Sequence, residues 1–231
     1  MSALEHILGE EKTIGPDQGL FLAETWRLHP SISGFTSEQF YERRLGSRPE
    51  LALQTIVGPT NFAGSGLWFV PVEHEGNQSS SLEEVEVVSR VVDEILVDGV
   101  EWVNSKSVPQ PLTLEDILIV APYNAQVADI GERIPGARIG TVDKFQGQEA
   151  PIVIYSTTTS SPEEAPRGME FLYSLNRLNV ATSRARCACI LVASPALFHP
   201  DCRTPRQMEL ANAFCRYLEM AHVVNLTEPD S

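Results

Sequence analysis

Five runs of this chain are dense in Val, Ile and Leu rather than alternating with polar residues: Leu67 to Val72, Ile117 to Pro122, Arg138 to Val142, Ile152 to Thr157 and Cys189 to Ala193. Strands covered on both faces read this way. Between them the apolar spacing changes to that of helices. From Ser81 to Asn104, the residues Val85, Val88, Val92 and Ile95 recur at helical intervals, and Ser81-Leu-Glu-Glu84 opens the segment as a capping box. The patterns over 124–134 and 173–185 predict two further helices. A last helix starts at Thr204-Pro-Arg-Gln207, a second capping box with Pro at the first helical position, and continues through Met208, Ala211, Phe214, Cys215 and Leu218. Strands alternating with helices predict an α/β fold, a mostly parallel sheet with helices on its faces. Residues 46–66, 73–80 and 158–171 read as irregular excursions.

Length and composition narrow this only a little. The 231 residues, 42% hydrophobic and 21% charged, suit one large domain or a domain with an appendage. Nothing resembles a secretory signal and no apolar run approaches membrane-spanning length, so no membrane partner is expected. Cys187, Cys189, Cys202 and Cys215 are too few and too clustered for a disulfide framework, and none forms a CxxC pair that would suggest zinc. A reduced, intracellular location follows, cytoplasmic or, in a eukaryote, nuclear.

Charge changes the picture more. A net charge of −14 argues against a generic electrostatic binder of nucleic acid. Its distribution is uneven: between Arg133 and Arg206 stand nine Arg or Lys and six Asp or Glu, a local balance of +3, and the other 157 residues carry −17. Any basic surface lies in that segment.

Ligands of open parallel α/β sheets sit at the carboxyl ends of the strands. That rule singles out Ala121-Pro-Tyr-Asn-Ala-Gln126, the loop Gly140-Thr-Val-Asp-Lys-Phe-Gln-Gly-Gln-Glu149, the early stretch Thr25-Trp-Arg-Leu-His-Pro30 and the late stretch Leu178-Asn-Val-Ala-Thr-Ser-Arg-Ala-Arg186. Each has a plain structural reading when taken singly. Arg27 and Arg186 suit surface ion pairs, Trp26 suits a core position, and Gln146-Gly147 suits a turn with positive φ at glycine. His29, before Pro30, suits a helix entry. His6, His74, His199 and His222 show no ligand spacing.

Together and in this order the stretches carry more. Trp26-Arg-Leu-His-Pro30 with Phe35 and Phe40-Tyr41 resembles the "YRMHP…F…FY" segment of superfamily 1 helicases of the up-frameshift group. Val120 to Gln126 resembles their motif IV, Thr141 to Glu149 their motif V, and Leu178 to Arg186 their motif VI, "LNVALTRAR". The last two are specific, and the resemblance runs from about residue 20 to about 195. It implies the C-terminal one of two RecA-like lobes: a three-layer P-loop NTPase-type fold, spanning 20–225, without a P-loop of its own. Residues 1–19 would link from a first lobe, since Ser2 to Gly9 resembles the segment that follows the "GDxxQLP" motif, and 226–231 would be a frayed tail.

The resemblance also implies roles. Arg27 and Arg184 would be arginine fingers, a role that suits a planar, permanently charged guanidinium. Trp26, in place of the usual Tyr, would stack on adenine; Glu149 would accept from the ribose, and Gln146 and Gly147 would approach the nucleotide. Thr141, Tyr123, Asn124 and Gln126 would face single-stranded DNA or RNA. Motif VI departs from the family pattern at Thr182 and Ser183, where Leu and Thr are usual, and Arg186 reads as a possible internal ion pair.

No GxxxxGK[ST] occurs, and none of Lys12, Lys106 and Lys144 follows a glycine. ATP and Mg²⁺ would therefore be held mainly by a first lobe, in cis or in trans, and the chain alone should not hydrolyse ATP. Val91-Val-Asp-Glu94 mimics the Mg²⁺-binding box, but it falls inside a predicted amphipathic helix and reads as a decoy. The other function class left open is a non-catalytic lobe that docks on a partner helicase or nuclease. An unrelated doubly wound domain, such as a methyltransferase, would leave motifs V and VI to chance. DNA versus RNA and unwinding versus translocation stay open.

Overall fold

The computed structural model describes residues 13–15, 17–145 and 147–226, so the residues compared with the "GDxxQLP" neighbourhood, Gln146 and nearly all of the expected tail lie outside the described residues. Short strands β1 (Glu24–Thr25) and β2 (Gly46–Ser47) pair with each other around helix α1 (Pro30–Phe40). The main sheet uses β4 (Gly66–Pro71), β7 (Ile117–Val120), β8 (Arg138–Gly140), β9 (Ala150–Ser156), β10 (Ala185–Ala193) and β11 (His222–Val223). Its order is β11-β4-β10-β9-β7-β8, and every described pairing is parallel.

Side chains divide between the two faces by strand alternation. On β9, Val153 and Tyr155 join a core with Ile32, Phe35, Leu178, Phe214 and Tyr217, beneath α1, α5 (Leu175–Arg184) and α6 (Pro205–Met220). Ile152 and Ile154 join the opposite core with Val85, Val88, Ile95 and Ile130, beneath α2 (Leu82–Ile95) and α3 (Asn124–Arg133). This is the three-layer α/β arrangement of a RecA-like fold. Cys187 and Cys189, two residues apart, lie in different cores because the register of β10 against β9 shifts between Ala185 and Ala188.

Three expectations need correction. The helix read from Ser81 to Asn104 stops at Ile95: Gly99 turns the chain at φ +89°, and Glu101–Val103 forms strand β5. With β3 (Thr55–Val57) and β6 (Pro109–Pro111) it makes a small antiparallel sheet, where the excursion 46–66 finds part of its structure. The first capping box is also half of one. Ser81 Oγ accepts from Glu84 N at 3.1 Å, but the Glu84 carboxylate leaves the cap. Fully buried, it accepts from Ser156, from Thr157 Oγ1 at 3.2 Å and from Thr158 N at 2.8 Å, and it lies 3.2 Å from His74 Nε2. The Ser81 N–H goes to Gln126 Oε1 instead, at 2.8 Å. In the second box Gln207 likewise turns away, accepting from Arg203 N at 2.8 Å while Thr204 caps Gln207 N.

Candidate functional site

His29 opens the site at the mouth of α1. Its Nδ1 accepts from Ser31 N at 3.2 Å, and Pro30 occupies the first helical position where a missing N–H costs nothing. Burial lowers the pKa of His29, against a hydrogen bond to the Ala52 backbone. Just before it, Thr25 Oγ1 accepts from the backbone N–H groups of Arg27 and Leu28 at 3.3 and 3.4 Å, a local turn that projects Trp26 and Arg27 outward. Motif VI enters from the other side. Thr182 lies fully buried with its hydroxyl donated to the Leu178 carbonyl at 2.9 Å, which is how a polar residue fits where the family usually has Leu. Helix α5 then ends at Arg184 and passes directly into β10, which carries Arg186.

Main-chain straps fix the spacing of these two segments. Gln54 Nε2 donates to both the Arg27 carbonyl (2.9 Å) and the Arg186 carbonyl (3.2 Å), and His29 N donates to Arg186 O at 2.9 Å. Gln54 is a positioning residue that sequence reasoning missed; it stands in the irregular excursion with no motif around it.

At the centre, Glu149 is bridged by Arg27 and Arg186, both through side-chain ion pairs. Arg27 Nη1 also donates to the Ser183 carbonyl at 3.0 Å. Burial alone would raise the Glu149 carboxyl, but the hydrogen-bonded Arg186 and then Arg27 bring it below the usual carboxylate range. Arg184 differs. It pairs with no described carboxylate, its Nε is buried without a partner, and its pKa is lowered first by burial and then by the charge of Arg27. Two guanidinium groups that repel each other thus stand beside one open cleft. That cleft, about 660 Å³, is lined by Thr25, Trp26, Arg27, Tyr41, Glu149, Ser183 and Arg184 among others.

Trp26 is 73% exposed, not a core residue, and Arg48 stacks on its indole at 3.7 Å while pairing with Glu50 at 3.1 Å. A second recess of about 390 Å³ lies between Trp26, Arg186 and the small sheet, with Trp102, Asn104 and Lys106 in its wall.

The motif V loop is built locally. Val142 and Phe145 bury in the core, Lys144 Nζ donates to the Ile139 carbonyl at 2.6 Å, and Gln148 accepts from Arg138 Nη2 at 3.1 Å. Gly147 has φ +85°, in the left-handed region that glycine adopts freely, and a Cβ there would meet open space. Thr141 is half-buried, its carbonyl accepting from Lys144 N at 3.0 Å.

Motif IV departs from its expected role. Gln126 is fully buried and donates its amide to Ser81 O at 3.3 Å and Ser156 Oγ at 3.0 Å, so it frames the carboxyl end of β9 and has no face left for a strand of nucleic acid. Tyr123 is nearly buried with its hydroxyl enclosed, whereas Asn124 stands exposed at the start of α3. The mimic of the Mg²⁺ box is structural: Glu94, inside α2, accepts from Asn61 N at 2.7 Å and from Thr60 Oγ1 at 3.4 Å, tying down a turn. Among the described residues no three His, Cys, Asp or Glu are grouped to hold a metal, and no helix is long and apolar enough to cross a membrane.

The AAA domain family matches residues 1–196. The chain is 30% identical over 201 residues to Helicase sen1 of Schizosaccharomyces pombe, an overlap of 80% of this chain and 11% of that protein. It is 27% identical over 222 residues to Probable helicase MAGATAMA 3 of Arabidopsis thaliana (88% of this chain, 26% of the relative). To the DNA polymerase alpha-associated DNA helicase A of Schizosaccharomyces pombe it is 29% identical over 195 residues, covering 74% of this chain and 27% of the relative. The chain thus spans about a quarter or less of these relatives' lengths. With its parallel RecA-like sheet and its motifs in family order, the chain belongs to this AAA domain family as the C-terminal lobe of a superfamily 1 helicase.

Proposed function

We propose that this chain is the second motor lobe of an ATP-dependent helicase or translocase, lending its arginines to an ATP site that a Walker-type lobe completes. The observation that carries this reading is that Arg27 and Arg184 line one cleft, where Arg184 has no described carboxylate and its pKa is lowered first by burial and then by the charge of Arg27. Phosphate oxygens would relieve that repulsion and accept the N–H groups of both side chains. Trp26 offers an exposed indole for the adenine, with Arg48 backing it. Glu149 keeps Arg27 and Arg186 in place and stands where a ribose hydroxyl could be accepted. Asn124 and Thr141 supply the edge that meets a single strand. Mg²⁺ falls to the other lobe, because the donors gathered here are guanidinium groups suited to anions.

The test is strand-stimulated ATP hydrolysis by this chain joined to a Walker-type first lobe. Arg184→Ala should lower turnover by about 10³-fold or more, the range of arginine fingers in phosphoryl transfer. Unchanged turnover in that variant would remove the finger assignment. The chain alone should show no turnover, and robust hydrolysis by it would overturn the two-lobe reading.

A further inference from the structure

In a chain with 31 acidic and 17 basic residues, an arginine that meets no carboxylate is an exception. Among the described residues, nine of the fourteen arginines pair with Asp or Glu within 4 Å, and Arg138 bonds instead to the Glu115 carbonyl and the Gln148 side-chain oxygen. Arg167, Arg177 and Arg184 have no ion pair with any described residue. Arg184 is the group turned toward the anion cleft. The other two share its isolation and lie together elsewhere.

Both guanidinium groups rest on one ring: Arg167 Cζ lies 3.9 Å and Arg177 Cζ 4.1 Å from the Phe171 centroid. Phe171 in turn packs against Tyr123 at 5.4 Å and 37°. The ring belongs to the short helix α4 (Met169–Leu172), Arg167 to the turn before it, and Arg177 to the first turn of α5. Tyr123 follows β7, so the cluster sits at the carboxyl edge of the sheet. The charges reach that far: burial raises the Tyr123 phenol, and Thr159, Arg167 and Arg177 oppose the rise.

This is an economical way to hold positive charge ready. Contact with the ring attracts each guanidinium to the aromatic face. It also removes rotamer freedom that a free arginine would lose on binding. Stacking occupies the face of each guanidinium and leaves its N–H edge, the part that matches two phosphate oxygens. Arg177 and Arg184 are seven residues apart on α5, about two helical turns and roughly 10 Å, so they share one face of one rigid element.

We propose that Arg167 and Arg177, held on Phe171, clamp the backbone phosphates of a single nucleic-acid strand, as contacts additional to Thr141 and Asn124. This rests on the motor-lobe reading for the identity of the ligand. The test is fluorescence anisotropy of the chain with a labelled oligothymidylate and a labelled oligouridylate, between about 50 and 200 mM salt. Arg167→Ala combined with Arg177→Ala should weaken binding about tenfold or more at the lower salt. It should also flatten the log K against log salt slope by about 1.4, two phosphates at about 0.7 each. The double Lys variant should keep the slope, and Phe171→Leu should lose affinity while keeping it. Circular dichroism of each variant checks the fold. Unchanged affinity or unchanged slope in the double Ala variant overturns the clamp and leaves the arginine fingers to the hydrolysis test. Failure of the parent chain to bind either strand overturns both the clamp and the strand-binding edge.

Discussion

Replacing Glu149 by glutamine keeps the side chain's shape and removes the charge that Arg27 and Arg186 share. All three side chains are about a third exposed, at 32%, 31% and 35% for Arg27, Glu149 and Arg186. Exposed pairs contribute about 0.2–1 kcal/mol each, and hydrogen bonds to charged groups in drier settings about 1.5–3. Two pairs at this intermediate exposure should therefore lose about 1–2 kcal/mol together. For a domain of this size that lowers Tm by about 3–6 °C. The pH dependence follows from the direction of the shift. The folded carboxyl titrates below its ordinary value of about 4.3. Its contribution is then complete above that ordinary value and is lost as pH falls through the lowered one. Urea unfolding of the parent and Glu149→Gln should show a constant gap from about pH 5 to 8 that starts to close below about pH 4. A gap under ~0.3 kcal/mol at pH 7, or one that does not close in acid, would refute the bridge as a stabilising pair.

Other substitutions probe separate features. Gly147→Ala should destabilise by about 1–2 kcal/mol in chemical denaturation, because φ +85° is unfavourable for any residue with a Cβ although space is open around it. Glu84→Gln should cost about 2–4 kcal/mol, since an amide would present N–H groups to some of the donors that the buried carboxylate now accepts; an unchanged unfolding midpoint would contradict the network. Trp26→Phe should shift the emission maximum to the blue and abolish most acrylamide quenching, because the remaining tryptophans, Trp68 and Trp102, are only 2% and 7% exposed. Retained quenching would mean that one of those two is open to solvent.

The main sheet was legible because burial on both faces writes a strand as a continuous apolar run, and four of the five expected strands overlap the observed ones closely. β10 begins earlier than its apolar run because Arg186 stands inside it, pairing with Glu149 at the strand's entrance. The overlong helix ran past its own apolar stripe, whose last member, Ile95, is where the helix ends before Gly99 turns the backbone. The small sheet left little trace: its strands are three residues long, and Pro109 and Pro111 obscure β6. At the site, the resemblance of the motifs to those of the helicase family picked out Trp26, Arg27, Glu149 and Arg184, which the fold gathers at one cleft. Gln126 has the residue type of a ligand contact, yet its complete burial and its bonds to Ser81 and Ser156 are features of the tertiary fold that a motif does not record. Gln54 and Glu84 act through contacts across the fold, which no local spacing encodes, and Phe171 joins its near neighbours Arg167 and Arg177 to the distant Tyr123.

The double strap from Gln54 bears on how fast the cleft can respond. Because the carbonyls of Arg27 and Arg186 are held by one amide, their Cα positions cannot drift apart independently. Arg27 can leave Glu149 for an incoming anion only by turning about its own side-chain bonds. Such rotamer changes take picoseconds to nanoseconds, against microseconds to milliseconds for the movement of whole domains. Capture of the anion would then be complete on the clock of a single side chain, long before any closure of one lobe on another, and the slow step would be set elsewhere.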